Sequence, residues 1–244
     1  MPAGTPGGAP EPAARNPSWL GCGCGLVVAL VLFSLVAVTW FAYREGEDFQ
    51  RGLKDPAYRD ARTRSVLRYH DLPPGYYPLG AFSVSFFLEM AILTDEDPAS
   101  GGVSREHPFR HHGFLYMSSR RLVERDRDVR RYLTGERGRP DWMERANVEI
   151  HEKELLRRGR IEVRGIPLLY SASRSEMNVQ GEPIQGISTL FLVDCPDHAR
   201  TRLGLWFGPD PHPEQTAATA DVTGSPADPQ ALAEFAGHFR FCSR

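Results

Sequence analysis

Three histidines stand close enough in the sequence to share a metal ion: His107, His111 and His112. Neutral imidazole nitrogen is a good ligand for zinc and copper. Adjacent His111 and His112 would point to opposite faces of a strand, so only one of them would join His107. Because no cysteine or carboxylate stands at a familiar zinc spacing, we expect solvated loop histidines and no bound metal or other cofactor. The alternative is a metal-dependent enzyme of the cell envelope that also uses His198 or His212.

Cys195 could act in either of two ways. Its neighbours Asp194, Asp197 and His198 suggest a nucleophilic thiol, but a catalytic thiol needs a lowered pKa, which the sequence does not show. Both Cys195 and Cys242 fall at the ends of predicted strands, and in an oxidising compartment they could form a disulfide that closes a loop of about 48 residues. Two separate buried thiols are the alternative. We therefore expect no catalytic residue here and favour the disulfide.

An apolar segment near the N-terminus predicts a membrane anchor. Residues 20–42 carry no charged side chain, and a helix of that length would measure about 34 Å, against about 30 Å for the hydrocarbon core of a bilayer. We therefore predict a disordered Pro/Gly/Ala-rich tail, a transmembrane helix, a charged juxtamembrane stalk and a globular domain. Their predicted ranges are residues 1–18, 19–43, 44–74 and 75–244.

Small residues recur along one face of the predicted anchor. Gly21, Gly25 and Ala29 lie four residues apart, a spacing that lets two membrane-spanning helices approach closely. A homodimer formed through the transmembrane helix is therefore one expectation. The lipid bilayer is the first predicted partner of the chain, and an envelope protein of unknown identity is the second.

The orientation of the predicted anchor follows from two signals that conflict. Arginine and lysine are more numerous after the anchor than before it, which would keep the large domain inside the cell. A short tail before an uncleaved anchor usually leaves the folded domain outside, and the two matched cysteines fit that orientation. We expect an inner (plasma) membrane protein with its N-terminus inside and its C-terminal domain extracytoplasmic. A cytoplasm-facing regulator or assembly factor of a membrane complex is the alternative.

The rest of the chain shows the patterns of a mixed domain. In residues 82–93 every second residue is a large apolar one, so one face is strongly apolar and predicts one long half-buried strand. Apolar residues at helical spacing predict helices over residues 122–133 and 142–156. Asp55-Pro56 predicts the start of a helix within the stalk, and Asp228-Pro229 predicts the start of a last helix. Arg164-Gly165 predicts a tight hairpin, and Phe239 and Phe241 a final short strand. The fold class expected is α+β: an N-terminal transmembrane helix followed by a globular domain with a mainly antiparallel sheet packed by helices.

This order of elements, with its meander, its C-terminal helix and the ending "HFRFC", resembles the PsbP/Mog1 type of α/β/α sandwich over about residues 75–243. The segment "LFLVDCPDHARTRLGLWFGPDP" is similar in style to uncharacterised bacterial single-pass membrane proteins. The first resemblance implies a fold. The second implies a bacterial envelope setting and brings no activity with it.

Charge and composition narrow the function classes. The formal net charge is −2, from 29 basic and 31 acidic residues, so nothing indicates a nucleic-acid partner. The arginine-rich stretch 120–164 mixes both signs, which is typical of a solvated surface. Since no strong catalytic constellation is present, the sequence favours a membrane-anchored binding or scaffolding module of the cell envelope over an enzyme.

Overall fold

The computed structural model of the chain describes residues 47, 51–52, 54–84, 87–98, 111–138, 140, 150–179, 182–197 and 199–242. Three helices are described there: α1 (Pro56–Leu67), α2 (Val123–Thr134) and α3 (Pro229–Gly237). The described strands are β1 (Tyr77–Val84), β2 (Leu88–Thr94), β3 (Gly113–Arg120), β4 (Ile150–Val163), β5 (Ile166–Val179), β6 (Glu182–Val193) and β7 (Arg200–Gly208).

The seven strands form one sheet in the order β1-β2-β3-β7-β6-β5-β4, and each neighbouring pair is antiparallel. Two meanders, β1 to β3 and β4 to β7, meet where β3 pairs with β7. The helix α2 makes the connection between the meanders. Since β7 lies in the middle, its side chains are buried on both faces of the sheet almost throughout.

Helices cover both faces of the sheet. On one face, α1 and α3 pack over an aromatic core in which Phe114, Phe191 and Phe235 are at most 5 % exposed. On the other face, α2 places Val129 and Leu133 against the aliphatic side chains of β6 and β7. The described domain is therefore an α+β fold built on an antiparallel sheet.

Local sequence signals explain how α1 and α3 begin. The Asp55 carboxylate accepts hydrogen bonds from the backbone N–H groups of Ala57 and Tyr58 at 3.0 and 3.2 Å, and Pro56 occupies the first turn. Asp228 and Pro229 start α3 in the same way. These caps satisfy donors that the first turn of a helix leaves free. The helix starts predicted at Asp55-Pro56 and Asp228-Pro229 are confirmed.

The structure corrects the expected fold class, which included a transmembrane helix. Among the residues that the structure describes, no helix combines the length and the apolar composition needed to cross a bilayer. Residues 19–43, to which that helix was assigned, lie outside the described residues. So do Gly21, Gly25 and Ala29, the predicted dimer face.

The segment before residue 75 also packs on the sheet. The compact unit that contains the sheet runs Glu45–Arg244, so it includes residues of the predicted stalk 44–74. The reason is that α1 packs against β1 and β2. Leu67 and Tyr69 are only 1 % and 4 % exposed, so this segment belongs to the core.

Three predicted elements differ from the structure. The single strand over residues 82–93 is a hairpin of β1 and β2, with a turn in which the N–H of Phe87 donates to the carbonyl of Val84 at 2.9 Å. The helix over residues 142–156 is wrong at its described end, because residues from Ile150 onward belong to β4. Phe239 and Phe241 lie in the core, but not in a strand.

Candidate functional site

The candidate metal-binding histidines are placed by a buried carboxylate. Asp95, whose side chain is 4 % exposed, accepts hydrogen bonds from the backbone N–H groups of His111 and His112 at 2.6 and 3.1 Å. The ring of His112 packs on Tyr76, with 4.7 Å between the ring centroids. His107 lies outside the described residues. In the described part of the chain, no group of three or more histidine, cysteine or acidic residues could hold a metal ion.

The other two candidate histidines do not extend this group. The backbone carbonyl of His212 accepts a hydrogen bond from Arg174 at 2.9 Å, and its ring Nδ1 lies 3.5 Å from Glu214 Oε1. His212 therefore belongs to the long loop after β7, which Arg174 holds against β5. His198 lies outside the described residues.

In the motif around Cys195, Asp194, Cys195 and Asp197 each have a structural partner. Cys195 is joined to Cys242 by a disulfide with a Cα–Cα distance of 5.6 Å. The carboxylate of Asp194 accepts hydrogen bonds from both terminal nitrogens of Arg130 at 2.9 and 3.3 Å. The carboxylate of Asp197 accepts hydrogen bonds from those of Arg202 at 2.7 and 3.0 Å. The sulfur is therefore not a free nucleophile in this structure, and two arginines orient the neighbouring carboxylates.

A groove of about 980 Å³ lies beside this disulfide. Its walls come from the end of α1, the turn between β4 and β5, and the segment after α3. The lining residues include Val163, Ile166, Leu168, Phe239 and Phe241, which we call the apolar floor. The volume is in the range of small-molecule binding sites in proteins.

Four exposed arginines also line the groove, and we call three of them, Arg68, Arg164 and Arg240, the rim arginines. Their guanidinium groups form no hydrogen bond or ion pair within the described part of the chain. None of the described residues that line the groove is acidic. In a chain with slightly more acidic than basic residues, this arrangement creates a local positive potential that favours anions.

Two of the rim arginines occupy backbone positions that do not favour arginine. Arg68 ends α1 at φ 52°, and Arg164 stands in the β4–β5 turn at φ 53°. These are the non-glycine residues with positive φ in the described structure. Glycine or asparagine adopts this left-handed conformation with less strain, whereas in other residues the conformation costs about 1–2 kcal/mol of folding free energy. Strained residues of this kind cluster at functional sites.

The remaining polar side chains of the lining are already engaged. The Tyr69 hydroxyl donates to Asp60 at 2.6 Å, the Ser65 hydroxyl donates to the carbonyl of Arg62 at 2.7 Å, and His70 contacts Asp71 at 2.8 Å. Arg64, a fourth arginine of the lining, contacts Asp60 at 3.0 Å. That hydrogen bond raises the pKa of Arg64, and burial is the main cause that raises the pKa of Tyr69.

A smaller cavity of about 360 Å³ is lined by Tyr76, His112 and Trp206 together with several prolines. The indole N–H of Trp206 donates to the Tyr76 hydroxyl at 2.6 Å, so the polar atoms of these two rings satisfy each other. This cavity lacks the concentration of charge that the larger groove has. The groove is therefore the stronger candidate site.

No protein-family model, curated protein or solved structure matches this chain. The resemblances to the PsbP/Mog1 type and to bacterial single-pass membrane proteins stay predictions. What the groove can do therefore follows from its own chemistry: guanidinium donors beside an apolar surface, with no free thiol among the lining residues that the structure describes.

No sequence pattern described above predicts this groove. Arg164 lies in the mixed-charge stretch 120–164 that was interpreted as solvated surface, and Arg68 and Arg240 were not among the candidate residues. Two signals were present in the sequence. Arg240 stands between two aromatic residues, and Arg164 precedes the glycine of a predicted tight turn. Arginine is an unusual residue for the first central position of such a turn.

Proposed function

We propose that this domain is a binding module of the cell envelope and that it holds an anionic ligand in the arginine-lined groove. The observation that carries the proposal is the concentration of three rim arginines around one groove: within the described part of the chain, their guanidinium groups are unpaired and no lining residue is acidic. Guanidinium groups bind carboxylate and phosphate oxygens through two parallel hydrogen bonds, which gives geometry as well as charge. An envelope protein as an additional partner stays a prediction.

The positive φ values of Arg68 and Arg164 support the same proposal. A fold gains nothing from arginine at a left-handed position, because asparagine or glycine lowers the strain. Both strained arginines nevertheless line one groove. A requirement for charge at these two positions accounts for their identity.

The disulfide supports a location outside the cytoplasm. Disulfides persist in oxidising compartments and are rare in the cytosol, where thiols are kept reduced. If cells that make the protein are treated with an alkylating reagent before lysis, Cys195 and Cys242 are expected to stay unmodified and joined. Peptide mass spectrometry without reduction measures this. Alkylation of both thiols would instead favour the cytoplasm-facing alternative.

Binding of 8-anilinonaphthalene-1-sulfonate, a fluorescent anion with an apolar body, tests the groove. We expect the full chain to bind the probe and the variant Arg68→Asn/Arg164→Asn/Arg240→Gln to bind it about tenfold more weakly, because charge-assisted hydrogen bonds are lost. Asparagine suits the left-handed conformation, so this variant should be at least as stable as the wild type. Fluorescence titration measures the affinity, and thermal unfolding measures the stability.

A matched control has three exposed arginines outside the groove replaced by glutamine: Arg120, Arg127 and Arg160. This control removes the same charge from the chain and should keep wild-type affinity. Probe bound to the apolar residues 20–42 would contribute equally to all three proteins. Equal affinity in the wild type and the groove variant would show that the groove does not bind anions, and the proposed function would then be wrong.

A further inference from the structure

We infer that the ligand of this groove is an anionic amphiphile, which consists of an alkyl or acyl chain with a carboxylate or phosphate at one end. This inference rests on the proposed function and adds the chemical class of the ligand. Two features of the groove carry it: the separation of charge from apolar surface, and the guanidinium groups that supply the free charged donors among the described side chains of the lining.

The charged and apolar parts of the lining are distinct. The rim arginines are exposed, whereas Val163, Leu168, Phe239 and Phe241 of the apolar floor are at most 8 % exposed and belong to the core. A groove of about 980 Å³ is much larger than an inorganic anion requires. A ligand that fills it must therefore place an apolar body against the floor and its charge at the rim.

Among the described side chains of the lining, the free charged donors are the guanidinium groups of the rim arginines. The hydroxyl protons of Tyr69 and Ser65 are donated to Asp60 and to the carbonyl of Arg62, and His70 contacts Asp71. Guanidinium groups have no acceptor atom of their own, so they need acceptors from a ligand. The carboxylate or phosphate oxygens of a headgroup are such acceptors, and an alkyl chain brings no further polar group that needs a partner.

The disulfide also holds one wall of the groove in place, which favours the binding of a flexible alkyl chain. Cys242 lines the groove and is bonded to Cys195 at the end of β6, while Phe239 and Phe241 of the same segment lie in the aromatic core. One wall is therefore tied to the sheet. Such a preformed wall lowers the entropy lost when a flexible chain binds.

A chain-length series tests the inference with the full-length protein. Butyl, hexyl, octyl and decyl phosphate are titrated below their micellar concentrations by displacement of 8-anilinonaphthalene-1-sulfonate. We expect affinity to increase about fourfold for each added methylene group until the groove is filled, which corresponds to the transfer of one CH₂ from water. The matching fatty carboxylates distinguish a phosphate headgroup from a carboxylate headgroup. Octyltrimethylammonium and octyl glucoside, with cationic and neutral heads, should displace the probe at least tenfold more weakly.

Two variants decide where the chain binds. Arg68→Asn/Arg164→Asn/Arg240→Gln should lose at least tenfold in affinity for octyl phosphate, while Ile166→Thr, at the half-buried edge of the floor, should lower the gain per methylene group. The same chain-length dependence in all three proteins would place the ligand elsewhere and overturn the inference. Inorganic phosphate that displaces the probe as well as octyl phosphate would overturn the amphiphile class but leave the anion-binding function standing.

Discussion

Replacement of both cysteines, Cys195→Ala/Cys242→Ala, is expected to lower the free energy of unfolding by about 4 kcal/mol. The disulfide joins residues 47 positions apart. In the unfolded chain, a crosslink that closes a loop of this length lowers the conformational entropy, and this raises the free energy of the unfolded state by about 4 kcal/mol. A typical domain is stable by only about 5–15 kcal/mol. The loss is therefore a large share of the total stability. Urea denaturation followed by circular dichroism measures it.

Reduction of the wild type provides the control for this prediction. With dithiothreitol, the urea midpoint of the wild type should fall to that of the double variant, whereas the variant should not respond. Cys195 is 3 % exposed, so full reduction requires incubation in denaturant before refolding. A wild-type midpoint that does not change after complete reduction would contradict the stabilising role of the bond.

The variant Phe114→Ala is expected to lose about 3–5 kcal/mol, the usual result when a large aromatic side chain is removed from a packed core. Phe114 is 1 % exposed. Its ring centroid lies 6.0, 5.0 and 5.3 Å from those of Phe191, Phe235 and Phe239. The side chain therefore connects β3 and β6 with α3 and the segment after it. Chemical denaturation measures the change in the free energy of unfolding.

Phe87 is the matched control for this substitution. It has the same side chain but is 53 % exposed at the turn between β1 and β2. Phe87→Ala should cost much less stability than Phe114→Ala, because most of its side chain already faces solvent and its removal loses less buried apolar area. Similar losses in the two variants would mean that Phe114 is not at the centre of the core.

Turn and cap residues were the features that sequence reasoning predicted best. The predicted hairpin at Arg164-Gly165 is present, with positive φ at both residues, because this turn type fixes the local backbone. Caps at Asp55 and Asp228 work in the same way. Each of these signals acts within a few residues, so the rest of the fold is not needed to interpret them.

Two errors arose where long-range pairing decides the structure. Residues 150–156 contain good helix formers such as glutamate, lysine and leucine. They form a strand because β4 pairs with β5 along its whole length from the turn onward. The β1–β2 hairpin was missed because its turn contains no glycine or proline, so the apolar alternation runs through it.

The groove could not be predicted from sequence patterns alone. Arg68, Arg164 and Arg240 are far apart in the chain, and only the fold brings the end of α1, a hairpin turn and the C-terminal segment together. The predicted candidates were clusters of residues close in sequence, such as His111 and His112. A binding site made from distant segments leaves no such cluster.

The sulfur–sulfur bond also determines how the domain carries mechanical load. Strand β7, the loop after it and α3 all lie between Cys195 and Cys242. A pull on the C-terminal end is transmitted from Cys242 through the bond to Cys195 and on to β6, so tension bypasses the intervening chain. In an oxidising medium, the middle strand of the sheet is thus shielded from force applied at that end.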